Sequence, residues 1–289
     1  MAKKIAEKTH RSEQYVTYGM TTATNFTAFR VAERHFRTNP QDTCVIQLAS
    51  SEENRPQTLP EGVFRYHLEI DPRSQNYSAF GYTTTTKTFH PPAYGFKKVP
   101  GLVIIPGFIT EAAQKEWILR CMDDYCRPPN KTNLHAHWKL PISSPFSESH
   151  QSLFEMAMDP SSCKLESFES NDNPTIFATA THLMNKLRWC TLGYQYDWST
   201  KTYPLESQIP IPDVVHEAVL AIVDAIDGVL PVSEDFLDQN DLSKHIFHYP
   251  AHKYKSQAGV INYYGQRESM TAHQDRSERN LAAPLVSFK

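Results

Sequence analysis

The stretch Ala258–Phe288 reads AGVINYYGQRESMTAHQDRSERNLAAPLVSF. Its apolar and polar residues alternate in short runs, which predicts strands separated by turns. Gly259–Tyr264 is expected to form one strand and Gly265–Ser269 a turn, followed by further strands over Met270–Asp275 and Pro284–Phe288. The C-terminal part of the chain is therefore predicted to consist of consecutive β-strands.

The second of these strands carries two side chains suited to a metal ion. His273 and Asp275 stand two residues apart, and side chains at i and i+2 of a strand point to the same side. An imidazole and a carboxylate at one point are two thirds of the two-histidine, one-carboxylate site that binds iron(II). The same spacing places Asn262 and Tyr264 on one face, where an amide and a phenol can hydrogen-bond a dicarboxylate. The histidine–aspartate pair alone is a weak indication.

The longer pattern is more specific. The run from Asn262 to Asp275 has the form NxYxxxxxxxxHxD and is followed by a polar turn and PLVSF. It resembles the signature of the AlkB family of iron(II)/2-oxoglutarate dioxygenases. Three blocks, in the correct order within residues 93–288, are similar to those of the eukaryotic AlkB homologue 1 group: VPGLVIIPGFI (99–109), LRWCTLGYQYDWSTKTYP (187–204) and AGVINYYG (258–265).

The resemblance implies a role for each matching residue. His273 and Asp275 would be the catalytic iron ligands, and Asn262 and Tyr264 would contact the cosubstrate 2-oxoglutarate. Iron(II) and 2-oxoglutarate would activate dioxygen to hydroxylate an N-methyl group. The resulting hemiaminal would release formaldehyde, with succinate and carbon dioxide as coproducts.

Aromatic residues mark the predicted substrate side. Trp189 and Tyr194 match the family's nucleotide-recognition lid, and the spacing of Tyr194, Tyr196 and Trp198 predicts that they share one face of a strand. Stacking on a nucleic acid base is one interpretation of these residues, and core packing is the other. Arg276, beside the metal motif, either meets phosphate or the substrate edge or is a solvated hairpin charge.

The function implied by the resemblance is oxidative demethylation of N-methylated bases in tRNA or DNA. The partners would be nucleic acid, 2-oxoglutarate and dioxygen, and the target base must be single-stranded or flipped from the stack. The competing hypothesis is a catalytically inactive protein that binds nucleic acid or has a regulatory role. DNA repair and tRNA modification are the expected processes.

Family members continue beyond PLVSF to a second iron-binding histidine and to arginines that pair with 2-oxoglutarate, whereas this sequence stops at Lys289. His245, His248 and His252 are substitutes for that histidine by residue type only. We therefore expect a C-terminally truncated form. A shortened gene model, a regulatory isoform and a laboratory fragment are the three explanations, and the unbroken match up to Phe288 favours the first.

The expected fold class is α+β. A double-stranded β-helix, or jelly roll, incomplete at its C-terminus, would follow helices and a loop-rich lid. Residues 1–92 are predicted to be a partly disordered extension, and residues 93–289 the dioxygenase domain. Within it, we place the lid at about 127–210 and the start of the catalytic β-helix at about 256–289.

Helical periodicity and capping residues predict the other elements. Thr110 is expected to cap a helix with Ala113, Trp117, Ile118, Cys121 and Tyr125 at core positions. The apolar run Leu102–Ile105, just before it, is predicted to be a buried strand. Further helices are expected over Thr27–Phe36, Leu153–Met158, Ile176–Leu187 and 213–227, the last with Asp213 as N-cap and Gly228 as terminator.

Composition excludes some classes of protein. The formal net charge is −3 and the isoelectric point is near 6.5, so any contact with nucleic acid must be local. The 5 cysteines are odd in number and form no CxxC pair, which favours a reducing compartment over a secreted disulfide framework. No membrane span or secretory signal is expected. The nucleus or cytoplasm is the expected location, with the mitochondrion as the alternative, and the oligomeric state is left open.

Overall fold

The computed structural model describes most of the chain from residue 58 onwards. The described residues are 31, 32, 35, 39, 46–49, 58–140, 151–159, 161, 164–169, 174–197, 199–200, 202–236, 238–265, 268, 270, 280 and 282–289. The chain divides into two compact units, Met1–Gln47 with Met270–Gln274, and Leu48–Ser269 with Asp275–Lys289. In the first unit, Val31, Ala32 and His35 are helical, within the helix expected over Thr27–Phe36.

The second unit contains three antiparallel sheets among its described residues. The first has the order β1 (Val63–Arg65), β2 (Tyr94–Phe96) and β3 (Val99–Ile104). Phe64 pairs with Gly95, and a Cβ at Gly95 would stand 2.2 Å from the Phe64 ring. This position therefore requires glycine because the buried ring crosses directly over the backbone.

The other two sheets are formed by five short strands. β4 (Lys131–Thr132), β7 (Trp189–Gly193) and β8 (Ala258–Asn262) form a sheet with β7 in the centre. β5 (Leu165–Glu166) and β6 (Phe177–Ala178) form a two-stranded sheet. Because β7 lies between β4 and β8, the residues at which it begins and ends also limit its pairing with both of these strands.

The described residues of the second unit form five α-helices: α1 (Glu111–Met122), α2 (Leu153–Met158), α3 (Ala180–Met184), α4 (Asp213–Ile226) and α5 (Gln239–Ser243). The Thr110 side chain accepts a hydrogen bond from Ala113 N at 3.3 Å, which confirms the predicted N-cap of α1. Gly228, with φ 68°, follows α4 as predicted. None of the described helices is long and apolar enough to cross a membrane.

Two hydrophobic cores hold the second unit together. The first includes Phe64, Tyr66, Ile70 and Phe80 together with Ala218 of α4. The second joins the helices and strands that precede β7: Leu134, Trp138, Leu153, Leu165, Ala178, Ala180, Leu183 and Leu187. The boundary expected at residue 93 cuts through the first core, because residues 63–80 supply most of its large side chains. The segment 58–92 is thus part of the folded unit.

Several predicted elements differ from the structure. The expected buried strand Leu102–Ile105 corresponds to β3, but Leu102 is 41% exposed and only alternate residues such as Val103 contact the core. Ile118 of α1 is 60% exposed because it lies on the side of the helix away from the core. The residues expected to form a helix over Ile176–Leu187 divide between β6 and α3. Pro212, not Asp213, precedes α4 as its N-cap residue.

The strand expected over Pro284–Phe288 is not formed. A strand needs a partner for its backbone hydrogen bonds, and no described strand pairs with these residues. Phe288 packs instead on Phe80 and Trp117, with ring centroids 5.8 Å and 5.3 Å apart. The strand predicted over Met270–Asp275 falls almost wholly outside the described residues.

Candidate functional site

The pairing of β7 with β8 creates two different faces. Trp189 pairs with Asn262, and Cys190 pairs with Ile261. Because side chains alternate along a strand, the first pair lies on one face and the second pair on the other. Cys190 is fully buried, so its face is the inner one. The other side carries Trp189 and the buried Thr191 on β7, and Val260, Asn262 and Tyr264 on and after β8. We call it the open face because its β8 residues are exposed.

Tyr264 belongs to the open face although β8 ends two residues earlier. Tyr263 N donates to Arg188 O at 2.9 Å, so the pairing continues one residue beyond the strand. The Tyr263 hydroxyl reaches the inner side, where it donates to Cys121 O. Tyr264 is 53% exposed. Burial alternates along β8 as predicted, with Asn262 exposed, but the strand expected over Gly259–Tyr264 ends at Asn262.

The two predicted 2-oxoglutarate contacts are accessible. Asn262 is exposed, and neither its amide nor the Tyr264 phenol hydrogen-bonds another described residue. An amide N–H and a phenol O–H are donors for carboxylate oxygens. This donor set on an exposed face fits a dicarboxylate such as 2-oxoglutarate.

The turn after β8 is tied to the start of β7. Glu268 accepts a hydrogen bond from Gly265 N at 2.9 Å and forms an ion pair with Arg188. The Arg188 guanidinium also donates to Asn185 O at 2.9 Å. These contacts hold Glu268 and Gly265 against the start of β7. Sequence analysis missed this pair, because nothing in the spacing of Arg188 and Glu268 indicates their proximity.

The predicted iron ligands His273 and Asp275, and the predicted substrate residue Arg276, lie outside the described residues. Within the described part of the chain, no three His, Cys, Asp or Glu side chains are grouped to hold a metal ion. Of the substitute histidines, His245 is buried against Phe64 with ring centroids 4.8 Å apart. His248 Nδ1 lies 3.7 Å from Asp227 Oδ1, and His252 is exposed in the turn Ala251–Lys253.

The aromatic residues of the expected lid are divided between two places. Trp189 is half-buried on the open face. β7 then ends at Gly193, whose φ is 72° and whose added Cβ would stand 2.1 Å from Gln257 O. Tyr194 and Tyr196 lie beyond the end of β7, in a hairpin with isolated bridges from Tyr194 to Gln208 and from Asp197 to Thr202. They are therefore not in a regular strand, and their shared face stays a prediction. In that hairpin, the Tyr196 ring lies 5.0 Å from the Tyr203 ring. Trp198 is outside the described residues.

Comparison with protein families identifies the class to which this site belongs. Residues 101–289 match the 2OG-Fe(II) oxygenase superfamily. The chain belongs to this superfamily, which takes its name from Fe(II) and 2-oxoglutarate, the predicted cofactor and cosubstrate. The predicted mixture of helices and antiparallel strands is confirmed at the level of this fold family.

Individual relatives show which group within the superfamily this chain is similar to. The chain is 28% identical to the tRNA demethylase abh1 of Schizosaccharomyces pombe over 76% of this chain and 62% of that protein. It is 29% identical to the human nucleic acid dioxygenase ALKBH1 over 68% of this chain and 40% of that protein. A third relative is the DNA N(6)-methyladenine demethylase ALKBH1A of Arabidopsis thaliana, which is 25% identical over 91% of this chain and 71% of that protein. The predicted resemblance to the AlkB homologue 1 group is confirmed, and the chain spans less than two thirds of the first two relatives.

Proposed function

We propose that this protein is an Fe(II)/2-oxoglutarate-dependent dioxygenase that oxidatively demethylates N-methylated bases in nucleic acid. The observation that carries the proposal is the β7–β8 register, which gathers Trp189, Asn262 and Tyr264 on one open face in a chain of the 2OG-Fe(II) oxygenase superfamily. The names of the relatives support nucleic acid as the substrate. One relative is named as a demethylase of tRNA and another as a demethylase of DNA. The experiment below therefore compares these two substrates directly.

The residues of the open face have distinct tasks in this proposal. Asn262 donates its amide N–H, and Tyr264 its phenol O–H, to the carboxylates of 2-oxoglutarate. His273 and Asp275 hold the iron by imidazole and carboxylate. When bound, Fe(II) and 2-oxoglutarate supply the activation of dioxygen that oxidises the N-methyl group. Positioning the cosubstrate beside the metal is thus the role of β8 and the turn after it.

The substrate base is received on the same face. Trp189 stands directly across from Asn262, and its indole ring offers a stacking surface for an unstacked base. Such stacking offsets part of the cost of taking the base out of a helix. Tyr194 and Tyr196, in the hairpin after β7, belong to the lid that contacts the nucleic acid in this proposal, and Arg276 meets a phosphate. An inactive binding protein is not favoured, because the relatives are named as enzymes.

Turnover by the 289-residue chain tests the proposal. The purified protein is incubated with Fe(II), 2-oxoglutarate and either a tRNA stem-loop or a single-stranded DNA carrying one N-methylated adenine. Succinate, formaldehyde and loss of the methyl group are measured by mass spectrometry. We expect all three to appear together, to require iron, and to be absent with unmethylated oligonucleotides. Succinate that forms at the same rate with methylated and unmethylated oligonucleotides would overturn the proposal.

Two substitutions test the assignment of the open face. A hydrogen bond to a charged group contributes about 1.5–3 kcal/mol, so Asn262→Ala should raise the KM for 2-oxoglutarate roughly ten- to a hundredfold. Asn240→Ala is the matched control, because Asn240 is an exposed asparagine of α5. Trp189→Ala should raise the KM for the oligonucleotide and leave that for 2-oxoglutarate unchanged. Equal effects of Asn262→Ala and Asn240→Ala would remove β8 from the cosubstrate site.

A further inference from the structure

The Asn133 side chain joins the end of β4 to the residues that lead into β7. Its Oδ1 accepts hydrogen bonds from Arg188 N at 2.8 Å and, more weakly, from Trp189 N at 3.4 Å. Its Nδ2 donates to Lys186 O at 2.9 Å. The Asn133 backbone N also donates to Trp189 O at 3.3 Å. One residue therefore holds the backbone just before β7 and at its first residue.

The orientation of this amide follows from its partners. The backbone groups near one end of the amide are N–H donors, and the group near the other end is a carbonyl acceptor. An asparagine satisfies all of them only with its oxygen towards Arg188 and Trp189 and its nitrogen towards Lys186. The reversed amide would place donors against donors. An aliphatic side chain at this position would make none of these bonds.

Asn133 also extends the row of residues that contains Trp189 and Asn262. The β4–β7 register pairs Thr132 with Cys190, so the residue after Thr132 lies across from Trp189. On the other side of β7, Trp189 pairs with Asn262. Thr132 and Cys190 are both buried, and alternation along the strand places Asn133 on the same face as Trp189. Trp189 is therefore flanked by the proposed cosubstrate residue on one side and by Asn133 on the other.

The turn that carries Asn133 is anchored independently of the Asn133 side chain. The residues on either side of it, Thr132 and Leu134, are both 3% exposed, and Leu134 packs in the second core. The Thr132 backbone N donates to His135 Nδ1 at 2.9 Å. Replacing the Asn133 side chain should therefore leave the turn in place and release only the backbone at the start of β7.

We propose that Asn133 is a positioning residue that holds Trp189 in the orientation in which its indole stacks on the substrate base. The proposal rests on the function proposed above, in which Trp189 receives the unstacked base. Trp189 is the first residue of β7, and β4 has already ended at Thr132. The Asn133 oxygen supplies the acceptor that a longer β4 would have offered to the backbone there. Because this backbone is fixed before the base binds, less conformational entropy is lost on binding.

A double-mutant cycle on oligonucleotide binding tests the proposal. The 289-residue chain and its variants are titrated, with iron but without 2-oxoglutarate, into the methylated oligonucleotides described above, each labelled with fluorescein. The fluorescence anisotropy gives the Kd, and the substrate is not consumed. Trp189→Ala should raise the Kd about ten- to a hundredfold, and Asn133→Ala should raise it about fivefold or more. In the Trp189→Ala background, Asn133→Ala should change the Kd by less than about twofold, because Asn133 acts through Trp189.

The outcomes separate this proposal from the function on which it rests. If Asn133→Ala weakens binding as much in the Trp189→Ala background as in the wild type, its effect is merely structural and the positioning role alone is refuted. If Trp189→Ala binds as tightly as the wild type, the stacking role of Trp189 fails, and the proposal for Asn133 fails with it. Turnover is measured separately. Asn185→Ala is the matched control and should leave the Kd unchanged, because Asn185 is an exposed asparagine of the same loop before β7.

Hydrogen exchange of the wild-type chain provides a second measurement that needs no variant. The Arg188 amide lies outside β7, but its hydrogen bond to Asn133 should slow its exchange at least about tenfold relative to an unstructured peptide of the same sequence. Circular dichroism of each variant checks that it is folded, and the exchange rate decides the matter if Asn133→Ala is not. Exchange of the Arg188 amide as fast as in the peptide would show that Asn133 does not hold this backbone, and the proposal would be wrong.

Discussion

Replacing Gly193 with alanine tests how the end of β7 is fixed. Gly193 has φ 72°, and an added Cβ would stand 2.1 Å from Gln257 O and 2.8 Å from Ile211 Cγ1. A residue with a side chain in the left-handed region costs about 1–2 kcal/mol. Displacing the Gln257 backbone and the packed Ile211 side chain adds about 1–3 kcal/mol. We therefore expect Gly193→Ala to lower the free energy of unfolding by about 2–5 kcal/mol.

Two other glycines provide matched controls. Gly101 also has a left-handed backbone, with φ 86°, but no atom lies within 4 Å of its added Cβ. Gly101→Ala should therefore cost only the conformational part, about 1–2 kcal/mol. Gly259 has an ordinary backbone, and the nearest atom to its Cβ would be Leu192 Cβ at 3.7 Å. Gly259→Ala should be close to neutral.

Urea unfolding measured by circular dichroism ranks the three variants, and the slope of the transition shows whether the folded state is otherwise preserved. The expected order of destabilisation is Gly193→Ala, then Gly101→Ala, then Gly259→Ala. The difference between the first two isolates the contact with Gln257. If Gly193→Ala is no more destabilising than Gly101→Ala, the close approach of the two backbones does not hold β7, and the reasoning fails.

Two further predictions concern charged and titratable side chains. Glu268→Gln removes the ion pair with Arg188, whose partners are 36% and 41% exposed, so stability should change by less than about 1 kcal/mol. The KM for 2-oxoglutarate should nevertheless rise, because the turn after β8 is released. The control Glu166→Gln breaks another exposed ion pair and should leave this KM unchanged. If the two variants have the same KM for 2-oxoglutarate, Glu268 has no positioning role. Burial lowers the pKa of His245 below its ordinary 6.5. As the pH falls, His245 therefore takes up a proton in the unfolded chain before it does so in the folded chain. The free energy of unfolding should accordingly fall as the pH drops below 6.5. In urea titrations at a series of pH values, His245→Phe should abolish this fall. If the free energy of unfolding depends on pH as steeply in the variant as in the wild type, His245 is not the group responsible. The charged groups that influence His245 are Asp241, Lys97 and Lys244.

Local signals in the sequence predicted α1, α2 and α4 and the alternation along β8. Thr110 followed by an acidic first turn fixes the start of α1, and the apolar periodicity of α4 fixes the helix that enters the first core. In both cases the deciding interactions lie within a few residues of one another. The alternation that separates Asn262 and Tyr264 from Tyr263 is equally local. It follows from strand geometry alone.

Contacts between distant residues could not be predicted in this way. The strands β1 and β2 are only three residues each, and their burial depends on α4, which is more than a hundred residues away in the sequence. The sequence therefore gave no sign that residues 63–80 belong to the core. The ion pair of Arg188 with Glu268 has the same origin, because nothing in the spacing of these residues indicates their proximity. The predicted iron ligands fall outside the described residues and remain a prediction.

The register of β7 against β8 decides which side chains lie on the open face. A shift of one residue would turn Cys190 and Tyr263 towards the open face and bury Trp189 and Asn262, because successive side chains alternate. Contacts at both ends of the pair oppose such a shift. At one end, the close approach of Gly193 to Gln257 O leaves no room for another residue type. At the other, the ion pair of Arg188 holds the turn after β8. The open face is therefore fixed by this register, and loss of the register would bury the residues proposed to contact the cosubstrate.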